Sequence, residues 1–154
     1  MAKLFRILIC ILLLLAPGSV GLAAEADQAR LFPVVFEKKA GFINAAGTVV
    51  IPLKFAAVKE YSEGLAAVQD GITGKWGYID RTGHYAIPPQ FQGAFPFSEG
   101  LAHVRLGDGT EGHIDKSGRL VIQGSSGMMR DGLLIIMEKD KAIFVDRTGK
   151  ALFE

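Results

Sequence analysis

Cysteine is almost absent from this 154-residue chain, which has one, Cys10. That residue lies inside an unbroken apolar run from Ile7 to Ala16, behind Ile9 and not behind small residues at the end of the run, so a diacylated lipoprotein cysteine is not expected. Lys3 and Arg6 precede the run, and Pro17, Gly18 and small residues follow it. This is the order of a secretory leader. The run is ten residues long, half of the about 20 that a bilayer-spanning helix needs. Residues 1–24 are therefore expected to be a signal peptide cut near Ala23–Ala24, with no stable membrane insertion afterwards. The mature chain then enters a periplasmic or extracellular compartment with no thiol, so no disulfide can staple it.

Charge of one sign is also lacking. Loss of the leader removes Lys3 and Arg6 from 17 basic residues and none of the 16 acidic ones, moving the formal charge from +1 to −1. Without a basic patch, nucleic acid is not an expected partner. No GxSxG, HExxH or nucleophilic cysteine follows the leader. Residues 25–33 read as a linker and 34–154 as one domain, long enough to bury a core.

What is abundant is glycine, and it recurs in register. GFINAAGTVVIP from Gly41 returns as GYIDRTGHYAIP from Gly77 and as GHIDKSGRLVIQ from Gly112, with a weaker copy, IFVDRTGKALFE, from Ile143. Between these, YSEGLAAV from Tyr61 returns as FSEGLAHV from Phe97 and as MRDGLLII from Met129. IPLKFAAV and IPPQFQGA join the two blocks.

In each copy Asn44, Asp80, Asp115 or Asp146 is followed three residues later by Gly47, Gly83, Gly118 or Gly149. This is a type I turn signature, in which the side-chain oxygen caps backbone N–H groups and the glycine closes a hairpin in the left-handed conformation. Short apolar segments of strand length flank it, such as Trp76–Ile79 and Tyr85–Ile87. Pro52 and Pro88 are expected to end the second strand, a loop through Phe55/Phe91 and Tyr61/Phe97 to fold back on the sheet, and Glu63-Gly64, Glu99-Gly100 and Asp131-Gly132 to turn into the next strand. The expected fold is all-β, with about four tandem three-stranded hairpin repeats, roughly a dozen strands, stacked as a solenoid-like array. A small closed barrel or propeller is the alternative.

The segment from Phe55 to Phe91, with Gly74-Lys75-Trp76-Gly77-Tyr78-Ile79-Asp80 and FSEGLA-type blocks, resembles the WG-repeat (KWG-repeat) proteins, and degenerate copies extend the likeness over about Phe36 to Leu152. The resemblance implies a bacterial module, often behind a signal peptide, with no general catalytic role. The Trp-Gly pair is complete only at Trp76-Gly77; the other copies read Ala40-Gly41, Glu111-Gly112 and Ala142-Ile143.

Glu63, Glu99, Asp80, Asp115 and Asp146 would be the acid and base of a hydrolase, but they occupy repeated turn positions and are expected to serve the fold. His84, His103 and His113 match no compact metal-ligand spacing and are expected at the surface; no metal or cofactor is expected. Gly71, Gly74, Gly107 and Gly109 precede no helix, so no phosphate loop is expected. Trp76, Tyr78, Phe95 and Phe97 are the binding candidates, an aromatic platform set against a plain core role. The expected function is a non-catalytic secreted or envelope module binding a protein, peptide or glycan. The alternatives are a glycan-active hydrolase using turn carboxylates near Trp76, or a purely structural envelope component.

Overall fold

The computed structural model describes residues 30–124, 127, 129–138 and 141–153. The expected signal peptide of residues 1–24, with its expected cleavage site, lies outside them. The described chain is all-β, with fourteen strands in four antiparallel sheets. The first sheet is β1 (Phe32–Phe36), β2 (Lys39–Ile43) and β3 (Val49–Phe55). The second is β4 (Ala57–Ser62), β5 (Leu65–Gln69), β6 (Trp76–Ile79) and β7 (Tyr85–Phe91). The third is β8 (Gly93–Ala94), β9 (Leu101–Arg105), β10 (Glu111–Asp115) and β11 (Leu120–Gln123), and the fourth β12 (Leu134–Glu138), β13 (Lys141–Val145) and β14 (Ala151–Phe153). In each sheet the strands neighbour one another in chain order. Strand β1 covers Phe32–Phe36.

Period-two alternation stacks the sheets. On the second sheet Ala66, Val68 and Ile79 face back and join Ala40, Phe42, Ile51 and Phe55 of the first. Ala67, Tyr78, Ile87 and Phe91 face forward and join Ala94, Phe97, Ala102, Val104 and Ile114 of the third. Leu101 and Ile122 of the third join Leu134 and Val145 of the fourth around Met129. Both inner sheets therefore bury both faces, as an array requires. Among the described residues no sheet closes on itself, so the closed-barrel alternative falls. A propeller would need a core between the first and fourth sheets, whereas the clusters among the described residues join only consecutive sheets.

Two local expectations change. The segment between the repeat blocks is not a loop: Ala57–Ser62 pairs antiparallel with β5 and Gly93–Ala94 with β9, which adds a fourth strand to each inner sheet. Pro52, Pro88 and Pro89 do not end a strand either, because β3 and β7 continue through them to Phe55 and Phe91. Both are edge strands, where a missing N–H costs no ladder bond on the open side.

Candidate functional site

The hairpin turns show what the repeated carboxylates do. Asp80 Oδ1 accepts the N–H of Thr82 at 2.8 Å and of His84 at 3.1 Å, and the Gly83 N–H donates to the Asp80 carbonyl at 3.1 Å. Asn44, Asp115 and Asp146 make the same backbone contacts in their own turns. Gly47, Gly83, Gly118 and Gly149 all have positive φ, between 77° and 86°. Hydrogen bonds from the Thr82, Ser117 and Thr148 hydroxyls hold the three aspartates below the usual carboxylate range. These groups are acceptors spent on their own turns, with pKa shifts opposite in sign to those a general acid needs.

The second turn joins one unit to the next. Glu63-Gly64, Glu99-Gly100 and Asp131-Gly132 have two successive residues at positive φ, as two-residue hairpin loops of type I′ do. Glu63 accepts the Gly100 N–H at 3.1 Å and the Lys116 ammonium at 3.0 Å, both from the following unit. Glu99 repeats this with the Gly132 N–H at 2.6 Å and Arg147 at 2.8 Å. Ser62 Oγ adds a 2.6 Å bond to the Phe97 carbonyl. Burial pushes both glutamates up, but these donors more than offset it and hold each carboxyl low.

The four aromatic candidates divide. Tyr78 and Phe97 are 0% and 2% exposed, with ring centroids 4.9 Å apart in the core, so they cannot form a binding platform. Alternation along β6 sends Tyr78 forward into that core. Burial raises the Tyr78 hydroxyl far above its ordinary range, and the hydroxyl donates to the Phe95 carbonyl at 2.8 Å. Tyr78 therefore fixes the segment that carries Phe95. Phe95 is 45% exposed, and Trp76 is half-buried against the core between the second and third sheets.

Trp76 and Phe95 meet around a residue that the sequence reading did not single out. The Lys59 ammonium lies 3.9 Å from the Phe95 ring centroid and 5.4 Å from that of Trp76. A bulge in β4 between Val58 and Tyr61 sets two residues, Lys59 and Glu60, where the ladder has room for one, the usual way a strand re-aims a side chain. Lys59, Trp76 and Phe95 line a groove of about 340 Å³ with Gln92, Gly93, His103, Arg105 and Glu111. Within it Arg105 pairs with Glu111 at 2.9 Å, and His103 Nε2 lies 3.5 Å from the same carboxylate. The Arg105 hydrogen bond and then the charges around Glu111 outweigh burial and hold its pKa low. Desolvation lowers Lys59, and among the described residues it forms no ion pair with a carboxylate.

The histidines correct a further expectation. His84 does sit in an exposed turn, its Nδ1 2.7 Å from Thr82 Oγ1. His103 and His113, however, are directly opposed on β9 and β10 with ring centroids 5.4 Å apart, and His113 is 2% exposed. His113 Nε2 donates to the Gly127 carbonyl at 2.7 Å, while its Nδ1 finds no partner among the described residues. No group of three histidine, cysteine, aspartate or glutamate residues among those described is placed to hold a metal ion.

Residues 41–75 and 76–109 each match the family model of the WG-containing repeat. Residues 41–109 carry two WG-type repeats. No curated protein matches it. The structure gives the glycine of the WG pair a reason that needs no special φ. A Cβ on Gly77 would lie 2.6 Å from the Ile87 carbonyl oxygen and 2.8 Å from the Pro89 nitrogen; on Gly41 and Gly112 it would lie 2.5 Å from the Ile51 and Ile122 carbonyl oxygens. At Gly41 and Gly77 the neighbouring strand crosses at a register shift of the ladder, and at all three glycines only hydrogen fits beneath it. In the worn fourth unit the pairing of β13 with β14, among the described residues, runs to Phe144 and Phe153.

Register also explains the groove. Lys59 and Phe95 are the same position of successive WG units, each four residues after Phe55 or Phe91, and Glu111 stands where Trp76 stands one unit earlier. The missed residues Lys59, Arg105 and Glu111 could have been found as departures from the repeat that fall on neighbouring positions. The tryptophan of the WG pair lines this groove while its glycine serves the fold.

Proposed function

We propose that this WG-repeat chain is a non-catalytic binding module of the cell envelope or of secretions, released by cleavage near Ala23–Ala24, which takes a protein, peptide or glycan in the groove at Trp76 and Phe95. The observation that carries the reading is the convergence of two exposed or half-exposed rings on Lys59 in a groove of about 340 Å³. That volume falls at the lower end of the roughly 300–1,000 Å³ of ordinary small-ligand clefts. A rigid two-sided stack of sheets holds the rings, and Tyr78 holds the Phe95 backbone from beneath. The non-catalytic part is supported by the carboxylates, which are spent on turns and inter-unit contacts at low pKa.

The test is an array of glycans and peptides probed with the mature chain and with a Trp76→Ala/Phe95→Ala variant of unchanged circular dichroism. The expected result is a class of binder that the variant loses. No binder, or binders indifferent to the two rings, would overturn the reading and leave a purely structural role.

A further inference from the structure

We infer that the groove takes a carboxylated sugar, a uronic-acid-type residue of an anionic glycan, with its carboxylate on Lys59 and its ring face on Trp76; this rests on the groove being the binding surface. Lys59 is the unmatched charge of the groove. Arg105, His103 and Glu111 are arranged around one another, whereas the Lys59 ammonium has only ring faces beside it among the described residues. A partly desolvated cation without a counter-ion is a standing cost that a bound anion relieves. Its 3.9 Å contact covers part of Phe95, and the indole 5.4 Å away is left as the stacking surface. A pyranose ring offers an apolar C–H face to such a surface and carries its carboxylate at the rim, where the ammonium stands.

The same groove is poorly suited to an extended peptide, which binds by adding a strand to an open edge. The N–H groups of Gln92 and Phe95 already donate to the carbonyls of Arg105 and His103 at 2.8 and 3.0 Å. β8 has only two residues, Pro96 has no N–H, and the β4 edge is broken by the bulge at Lys59 and Glu60. No continuous row of backbone groups is open there. Recognition then falls to ring faces and charge, the chemistry of an acidic glycan.

Trp76 is the only tryptophan in the chain, so its fluorescence reports the site directly. The full mature chain is titrated with trigalacturonate, with neutral maltotriose and with hexaglutamate. The expected result is a saturable change with trigalacturonate that weakens as salt rises, and no comparable change with the other two. Lys59→Met should weaken binding about tenfold, the worth of one charge-assisted contact, and Lys59→Arg should restore most of it. Lys59→Gln serves as a second neutral variant should Lys59→Met fail to fold. Binding of trigalacturonate indifferent to both neutral variants, or equal binding of maltotriose, would overturn the carboxylate assignment and leave the groove standing. Preference for hexaglutamate would overturn the sugar. No response of Trp76 to any probe, together with no ring-dependent binder on the array, would remove the groove as well.

Discussion

The Glu63 carboxylate accepts the Gly100 N–H at 3.1 Å across 37 residues of sequence, from one turn to the same turn of the next unit. Glu99 and Gly132 repeat the relationship. Glutamate pays for this with an unusual backbone, since Glu63 and Glu99 sit at φ of 50° and 53°, where asparagine or glycine is the ordinary choice. The longer side chain is what reaches the next unit. The Ser-Glu-Gly block is therefore a clasp between units as well as a turn within one.

The clasp predicts how stability responds to charge and acid. A double-mutant cycle on Glu63→Gln and Lys116→Met should give a coupling of about 0.2–1 kcal/mol that fades with salt, as for other half-exposed ion pairs. The glutamates are held low in the folded chain, so the unfolded chain binds protons first as pH falls, beginning near the ordinary glutamate value of about 4.3. The clasp's contribution is complete above that pH and is lost below it. Thermal unfolding of Glu63→Gln and Glu99→Gln between pH 7 and 3 should thus show a shallower acid decline than the parent; parallel curves would remove the clasp.

The WG glycine makes a second prediction. Gly77→Ala adds one methyl group whose carbon would meet backbone atoms of Ile87 and Pro89 at 2.6 and 2.8 Å, and backbone cannot rotate away as a side chain can. The expected cost is about 1–3 kcal/mol, the range of overpacking, measured by urea unfolding. Gly107→Ala, where a Cβ meets nothing within 4 Å, is the matched control. Equal stability of the two variants would refute the close-approach account.

The architecture was legible because two independent blocks, the Asp-x-x-Gly turns and the Ser-Glu-Gly segments, repeat at one spacing, and each has a physical meaning a reader can assign without coordinates. Pro52 and Pro88 misled because proline ends a ladder only where an N–H is needed, and edge position is a property of the sheet and not of the residue. His113 was misplaced for a subtler reason. Read alone it is polar, but in register it occupies the place of Phe42 and Tyr78, a forward-facing core position. In the sequence Lys59 shows only as a departure from the repeat; its partnership with Trp76 and Phe95 arises when a bulge turns it across a sheet boundary.

Gly83→Val tests the hairpin itself. Gly83 has φ of 86°, and a Cβ there would also sit 3.4 Å from Ile51 of the preceding unit. A β-branched residue resists this conformation by about 1–2 kcal/mol before any crowding is counted. Gly83→Asn, which tolerates the left-handed region, should lose less. A melting temperature that ranks the parent above asparagine and asparagine above valine is expected; valine equal to the parent would remove the turn assignment.

His113 supplies the last prediction, at milder pH. Burial, partly opposed by the Gly127 carbonyl and aided by nearby His103, holds its pKa below the ordinary value. The unfolded chain therefore takes up a proton at this residue as pH falls through about 6.5, while the folded chain resists, and stability drops with pH in that window. The groups facing it are His103, Glu111 behind that ring, and the Gly127 carbonyl. His113→Phe places in the third unit the residue the first uses at Phe42, removes the unpartnered Nδ1 and costs the bond to Gly127. If the account is right, the variant's melting temperature stays flat between pH 8 and 5 while the parent's falls. A parent that is itself flat across that range, or a variant that declines in parallel, would show that the buried imidazole is not what senses the proton.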